Sequence, residues 1–246
     1  MTQSPMEPED QASSLVPVIL SILGGIAAYS AGRQTVQTWE QVAEELRILP
    51  RSATALASVV SRALLRLMRR TNSPAIQNAL TNSLERIRDK AVADGVQIIS
   101  QAARALSEDL IEIRKAGDIW VDTVSLPGEH FEESGGVEHI KTALSPDRMR
   151  KTAEDLAKRT HQTLWNATEF YAAEEVGWPR KTWHSKKDTR VRATHAFLGS
   201  PKYEFHTVDI GQPFITIDGN ALRYPGDPLA PIEETARCRC WLVCHR

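Results

Sequence analysis

The chain has 246 residues, 41% of them hydrophobic and 25% charged, with a formal net charge of -1. That length suits one large domain or two small ones, and the composition is that of an ordinary globular protein. The near-neutral balance argues against a protein that coats nucleic acid, although local basic patches remain compatible with it. Cys238, Cys240 and Cys244 are the only three cysteines, too few and too close together for a disulfide framework.

Residues 1–14 are polar, carry Pro5 and Pro8, and read as a disordered tail. An uncharged apolar run follows from Leu15 to Gly32. It is preceded by Glu7, Glu9 and Asp10 and by no Lys or Arg, unlike a signal peptide. Pro17 and the pair Gly24-Gly25 interrupt it. A buried or subunit-contact helix is the first reading, and a membrane-active segment the alternative, since the run is at the lower limit for spanning a bilayer.

The pattern then stays helical to about Lys115, so that 15–116 forms a helical arm. Thr38 caps a helix that Pro50 ends. Leu56, Val59, Val60, Ala63, Leu64, Leu67 and Met68 form the apolar stripe of the next one. Asn72 or Ser73 caps a third segment, with Pro74 in its first turn, and Gly117 is expected to stop it. Gly95, inside this segment, marks a break or a close contact. Between Arg47 and Arg70 there is no acidic residue. Arg62, Arg66, Arg69 and Arg70 share one side of the helix, a candidate contact for DNA or another anionic partner, or else a solvated face.

Residues 117–144 read as a linker, punctuated by Pro127, Gly128, Gly135 and Gly136. A helix is predicted from about Pro146 to Glu175, closed by Gly177 and Pro179. Short β runs follow at 181–183, 202–205, 214–217 and 239–243, with Asp218-Gly219 as a hairpin turn. The fold class is therefore α+β: a long, mainly helical N-terminal arm followed by a small, mostly β C-terminal module at 145–246.

Three stretches of this module stand out. In the first, Asp188 is expected to pair with Arg190 or Arg192, whose guanidiniums could equally grip phosphate; His195 follows. In the second, Pro225 and Pro228 stiffen a loop around Gly226, and Asp227 is placed to hydrogen-bond back into its own turn. In the third, Cys238 and Cys240 would share one side of an extended chain, with Arg239 on the other. His195, Cys238 and Cys240, with one more ligand, form a candidate zinc site, although C-x-C is tighter than the usual spacing. The plainer reading is three reduced thiols, a salt-bridged loop and a structural turn.

Taken in order, these stretches resemble the C-terminal module of the phage Mu F-like head-morphogenesis family, W…D-x-R-V-R-x-x-H…L-x-G…L-x-x-P-G-D-P…C-R-C. The matching residues are Trp183, Asp188, Arg190, Val191, Arg192, His195, Leu198, Gly199, Leu222, Pro225, Gly226, Asp227, Pro228, Cys238, Arg239 and Cys240. The chain departs from this pattern at three places: His184, after Trp183, stands where an apolar residue would be more usual, Leu198 and Gly199 are adjacent, one residue tighter than L-x-G, and the loop from Ser200 to Asn220 is longer and more polar than a minimal member needs. The resemblance covers roughly residues 145–244. It implies a minor capsid protein of the virion, made in the bacterial host cytoplasm and present in several copies. It would act in head assembly near the portal, and in DNA packaging or ejection. Its partners would be portal, major capsid or scaffold proteins, with packaged DNA and a transient membrane contact as further candidates. It implies no cofactor and no catalysis. Family modules are also joined to ADP-ribosyltransferase toxin domains, for which the six residues after Cys240 leave little room. A nuclease using His195 with Arg190 and Arg192 is the enzymatic alternative.

Overall fold

The structure, a computed structural model, describes residues 12–32, 41, 43–44, 48–121, 146–186, 188–200 and 206–246. Its elements are helices α1 (Val16–Gly32), α2 (Ile48–Arg70), α3 (Pro74–Asn82), α4 (Leu84–Val121) and α5 (Pro146–Glu175), strand β1 (Arg180–His184), helix α6 (Ala193–Leu198), strands β2 (Thr207–Asp209), β3 (Phe214–Ile215) and β4 (Ala221–Leu222), helix α7 (Ile232–Thr235) and strand β5 (Trp241–His245). The α+β class read from the sequence is the one observed.

α1, α2, α4 and α5 pack on one another. Each contributes a buried apolar stripe: Ile19, Ile22, Leu23 and Ile26 from α1; Leu56, Val59, Val60 and Leu64 from α2; Ile87, Ala91, Ile98 and Ile99 from α4; Ala153, Ala157, Leu164 and Ala167 from α5. The apolar run at the N-terminus is thus a helix that buries Ile19, Ile22, Leu23 and Ile26, and no helix among the described residues is long and apolar enough to cross a membrane. One continuous core joins these stripes to Trp183, Leu198, Phe214, Leu222 and Leu242 of the C-terminal module.

Local signals place the ends of several helices. Ser73 caps α3 by accepting from the Ile76 N–H, with Pro74 in the first turn. α5 spans the predicted residues, and Gly177, at φ 70°, turns the chain out of it. Three expectations are corrected. Pro50 lies in the first turn of α2 rather than at a helix end, because first-turn N–H groups have no intrahelical acceptor to lose. Gly117 lies inside α4, since a glycine weakens a helix by about 1 kcal/mol without removing a hydrogen bond. The continuous segment expected after Pro74 is broken at Ser83, between α3 and α4. Gly95 is a close contact and no break: a β-carbon there would lie 2.7 Å from Leu164 Cδ2 and 2.9 Å from Leu56 Cδ1. The proposed Thr38 cap, the 202–205 run and the linker from 122 to 144 lie outside the described residues.

The sheet is antiparallel, in the order β2-β1-β5, with Trp183 opposite Leu242 and Lys181 opposite both Val208 and Cys244. β3 and β4 form a separate hairpin, with Phe214 opposite Leu222 and Asp218-Gly219 in its turn. α5 is the seat of this small module. Its buried polar residues explain how: Gln162 and Asn166 donate to the Cys240 carbonyl, Asn166 Oδ1 accepts from the Leu242 N–H, and Thr163 donates to the Gly226 carbonyl. Each satisfies a main-chain group that the sheet and loops leave unpaired in the interior.

Candidate functional site

The residues of the three sequence stretches occupy two connected clusters. The first is centred on His195, in α6. This one-and-a-half-turn helix is held close to the chain leaving β1 because residue 199 is glycine: a β-carbon there would fall 2.2 Å from Ser185 Oγ and 2.7 Å from Ser185 Cβ. The His195 ring packs edge-on against Trp183 at 5.0 Å, and Trp183 packs edge-on against Phe214 at 5.3 Å. His195 Nδ1 lies 3.5 Å from Cys238 Sγ and 3.6 Å from Cys240 Sγ. All three residues are buried, and their ligand atoms lie within 4.8 Å of one another.

The C-x-C spacing works here through chain alternation. Arg237, at φ 53°, turns the chain out of α7. Beyond it, Cys238 and Cys240 reach His195 while Arg239, between them, reaches Asp188. Arg239 meets Asp188 in a two-pronged pair, Nη1–Oδ2 at 2.8 Å and Nη2–Oδ1 at 2.5 Å. This adds a stronger partner of Asp188 to the one expected nearby. Arg190 pairs with the same carboxylate as expected, at 3.7 Å through its guanidinium and at 3.1 Å through its main-chain N–H, whereas Arg192 donates to the carbonyls of Glu234 and Ala236. The Arg239 guanidinium holds the Asp188 carboxyl down at about 2.

On its other side, His195 Nε2 stands 3.0 Å from Glu234 Oε2, off the straight line of a hydrogen bond. Glu234 is itself buried, with Thr194 and Asn220 each donating to it at 3.0 Å. Burial alone would raise its carboxyl, but these hydrogen bonds more than offset that and hold it below the usual range. Between the thiols, a hydrogen bond from Cys240 holds Cys238 well below the ordinary thiol range despite its burial, with His195 adding to the effect. Glu234 was not singled out from the sequence. Its one-turn helix has no periodic signature, and the only hint was an acid four residues ahead of the C-x-C pair.

The second cluster is built on the Leu222–Pro228 loop. Asp227 bonds back into its own turn as expected, accepting from the main-chain N–H of Arg223 at 2.8 Å and of Leu229 at 3.0 Å. Arg223 grips the same carboxylate, Nη2–Oδ1 at 2.6 Å and Nε–Oδ2 at 2.9 Å. It also donates to Tyr171 of α5 at 2.7 Å and reaches Asp94 of α4 at 3.3 Å. Tyr171 and Tyr224 both donate to Asp94. Gly226, at φ 80°, sits where a β-carbon would also lie 2.8 Å from Thr163 Oγ1, so both the backbone conformation and the space call for glycine. Pro225 offers its carbonyl to Asn166, and Pro228 to Gln97 and Gln101. This loop is the clasp between the module and the helices.

No protein-family model, curated protein or solved structure matches the chain.

The remaining candidates scatter. His195 is buried while the Arg190 side chain is 77% exposed, and Arg192 is turned to main-chain carbonyls, so these three do not converge on one open surface. The arginines of α2 divide. The Arg66 guanidinium lies over the Trp165 ring at 5.3 Å, and Arg70 is 4.0 Å from Glu169. Arg62 reaches Ser14 at 3.4 Å, and Arg69 is exposed. The departure at His184 has a partner too: its ring stacks on Trp241 at 5.5 Å. Cys244 is buried on β5, outside the His195 group.

Proposed function

We propose that this protein is a minor head component of a phage, a structural protein of the Mu F-like kind acting in head assembly near the portal. The observation that carries the reading is how the residues of the resemblance are used. Trp183, Asp188, Arg192, His195, Gly199, Asp227, Cys238, Arg239 and Cys240 are spread along the chain, yet they interlock in the two clusters described above. A set of motifs spent on internal contacts is what a docking module requires, since a rigid shape is its working part. Catalysis would instead leave polar groups convergent on a cleft.

On this reading the portal, major capsid or scaffold proteins are the partners, with several copies of the chain per virion. Ile215 and Ile217 on the hairpin, Leu229 on the loop beyond it and Ile232 at the start of α7 are exposed, and apolar groups of this kind suit a protein surface. Packaged DNA would be met by Arg62, Arg69 and Arg70 on α2, with Arg66 serving to pack Trp165. Mass spectrometry of purified procapsids and virions tests the proposal: the chain is expected in both, at low copy relative to the major capsid protein. Its absence from both would overturn it.

A further inference from the structure

We infer that His195, Cys238 and Cys240 are three ligands of a tetrahedral, thiophilic divalent metal ion, with zinc as the first choice. The inference stands apart from the assembly reading and rests on three observations. The first is distance. With zinc–sulfur bonds of about 2.3 Å and zinc–nitrogen bonds of about 2.0–2.1 Å, tetrahedral angles place a ligating nitrogen roughly 3.5–3.6 Å from each ligating sulfur. The distances from His195 Nδ1 to the two sulfurs are 3.5 Å and 3.6 Å.

The second is the environment of the imidazole. A metal-bound histidine characteristically turns its other ring nitrogen towards a carboxylate, which fixes the tautomer and the ring orientation. Here Nε2 faces Glu234 at 3.0 Å, and Glu234 is itself buried and held by Thr194 and Asn220. A metal at Nδ1 leaves the ring proton on Nε2, on the side of that carboxylate. Trp183 fixes the ring from the side.

The third is chemistry. Two thiolates and an imidazole are a soft donor set that selects zinc over magnesium or calcium. Two thiolates also balance the charge of a divalent ion in a buried place, where an uncompensated charge would be costly. Without an ion, a buried imidazole nitrogen has only two weakly hydrogen-bonding thiols for company. Among the described residues no fourth Cys, His, Asp or Glu joins the group. The ion ties α6 to the chain entering β5, in a module whose sheet has three short strands.

The test is metal content and cobalt substitution in the full chain. Protein purified without chelators from zinc-supplemented culture is expected to hold one zinc per chain. After exchange, cobalt(II) should show the visible bands of a tetrahedral site and a near-ultraviolet thiolate-to-cobalt transition. Cys238→Ser and Cys240→Ser should each abolish that transition or weaken it strongly, while Cys244→Ser should leave it intact. Glu234→Gln should bind zinc about 10–100-fold more weakly. Zinc near zero together with no thiolate–cobalt transition in the wild-type chain overturns the inference. So does an unchanged transition in Cys240→Ser, or its loss in a folded Cys244→Ser protein. Should the serine variants fail to fold, the wild-type cobalt spectrum decides alone, because the transition itself reports thiolate ligation.

Discussion

Asp188 and Arg239, 51 residues apart in the chain, form a bidentate ion pair on the outer side of the segment whose inner side presents Cys238 and Cys240 to His195. The pair pins the loop after β1 to the coil before β5, and so fixes which way the two thiols point. It also contributes to acid stability through the Asp188 carboxylate. The Arg239 guanidinium lowers the Asp188 carboxyl from 3.8 to about 2. A carboxylate depressed in the fold contributes stability that is fully present above its unfolded value and is lost as pH falls through its folded value. Thermal melts of wild type and Asp188→Asn should therefore differ most above about pH 4 and converge by about pH 2. A difference that persists undiminished at the acid end would show that the carboxylate's charge is not what matters.

The clasp on the Leu222–Pro228 loop should be more sensitive than any surface pair. Asp227 is buried and accepts from two main-chain N–H groups as well as from Arg223. Its removal strands the two main-chain donors and leaves Arg223 with only Asp94 and Tyr171 as partners. Asp227→Ala is expected to cost about 3–5 kcal/mol, the range for breaking one partner of a buried ion pair. Urea unfolding should show a lowered midpoint with an unchanged slope. A double replacement, Arg223→Met with Asp227→Leu, should not recover the loss, since it leaves the buried Asp94 carboxylate without its cationic partner.

Gly199 is constrained by space rather than by backbone angle. Alanine would press its methyl onto the Ser185 side chain and main chain, and overpacking of this kind costs about 1–3 kcal/mol. Gly199→Ala should lower the melting temperature, and adding Ser185→Gly should restore part of it by removing the side-chain atoms in the way. Equal stability of Gly199→Ala and wild type would mean that α6 shifts freely relative to β1.

What could be read from the sequence divides by range. The Ser73-Pro74 start of α3, the extent of α5 and the Asp218-Gly219 turn are decided by residues within a few positions of one another, and they were legible. So was Asp227 bonding into its own turn. For Asp188 only the local partner Arg190 was legible; the two-pronged partner Arg239 was not, because it lies near the far end of the chain. Arg192 could not be assigned for the same reason: its acceptors are main-chain carbonyls brought near by α7. Pro50 and Gly117 were misread through residue type alone, since their cost depends on position in the helix. Strand β2 was missed because Thr207–Asp209 is short and mixed in polarity, and only the register with β1 defines it. The grouping of His195 with the two cysteines was available from residue types, but Glu234, which faces it, was visible only in three dimensions.

His161 offers a test that separates packing from charge. It is buried on α5 beside Trp165, and neither ring nitrogen has a hydrogen-bond partner. Burial first, and then the nearby Arg62, depress its pKa from 6.5 to about 4. The sign follows from which state takes the proton. Above about pH 6.5 the ring is neutral in both states and carries no penalty. As pH falls towards about 4 the unfolded chain binds the proton and the native chain does not, so stability declines across that window and levels off below it. The total decline is on the order of 3 kcal/mol, at 1.36 kcal/mol for each unit of pKa difference. His161→Leu removes the titration along with the unpaired nitrogens, so it should flatten the decline, and near neutral pH it should be close to wild type or more stable. Urea midpoints measured above pH 6.5 and near pH 4 would reveal this. A wild-type curve that is already flat over the window would show that the ring nitrogens find partners in solution, most simply water entering between α5 and α2.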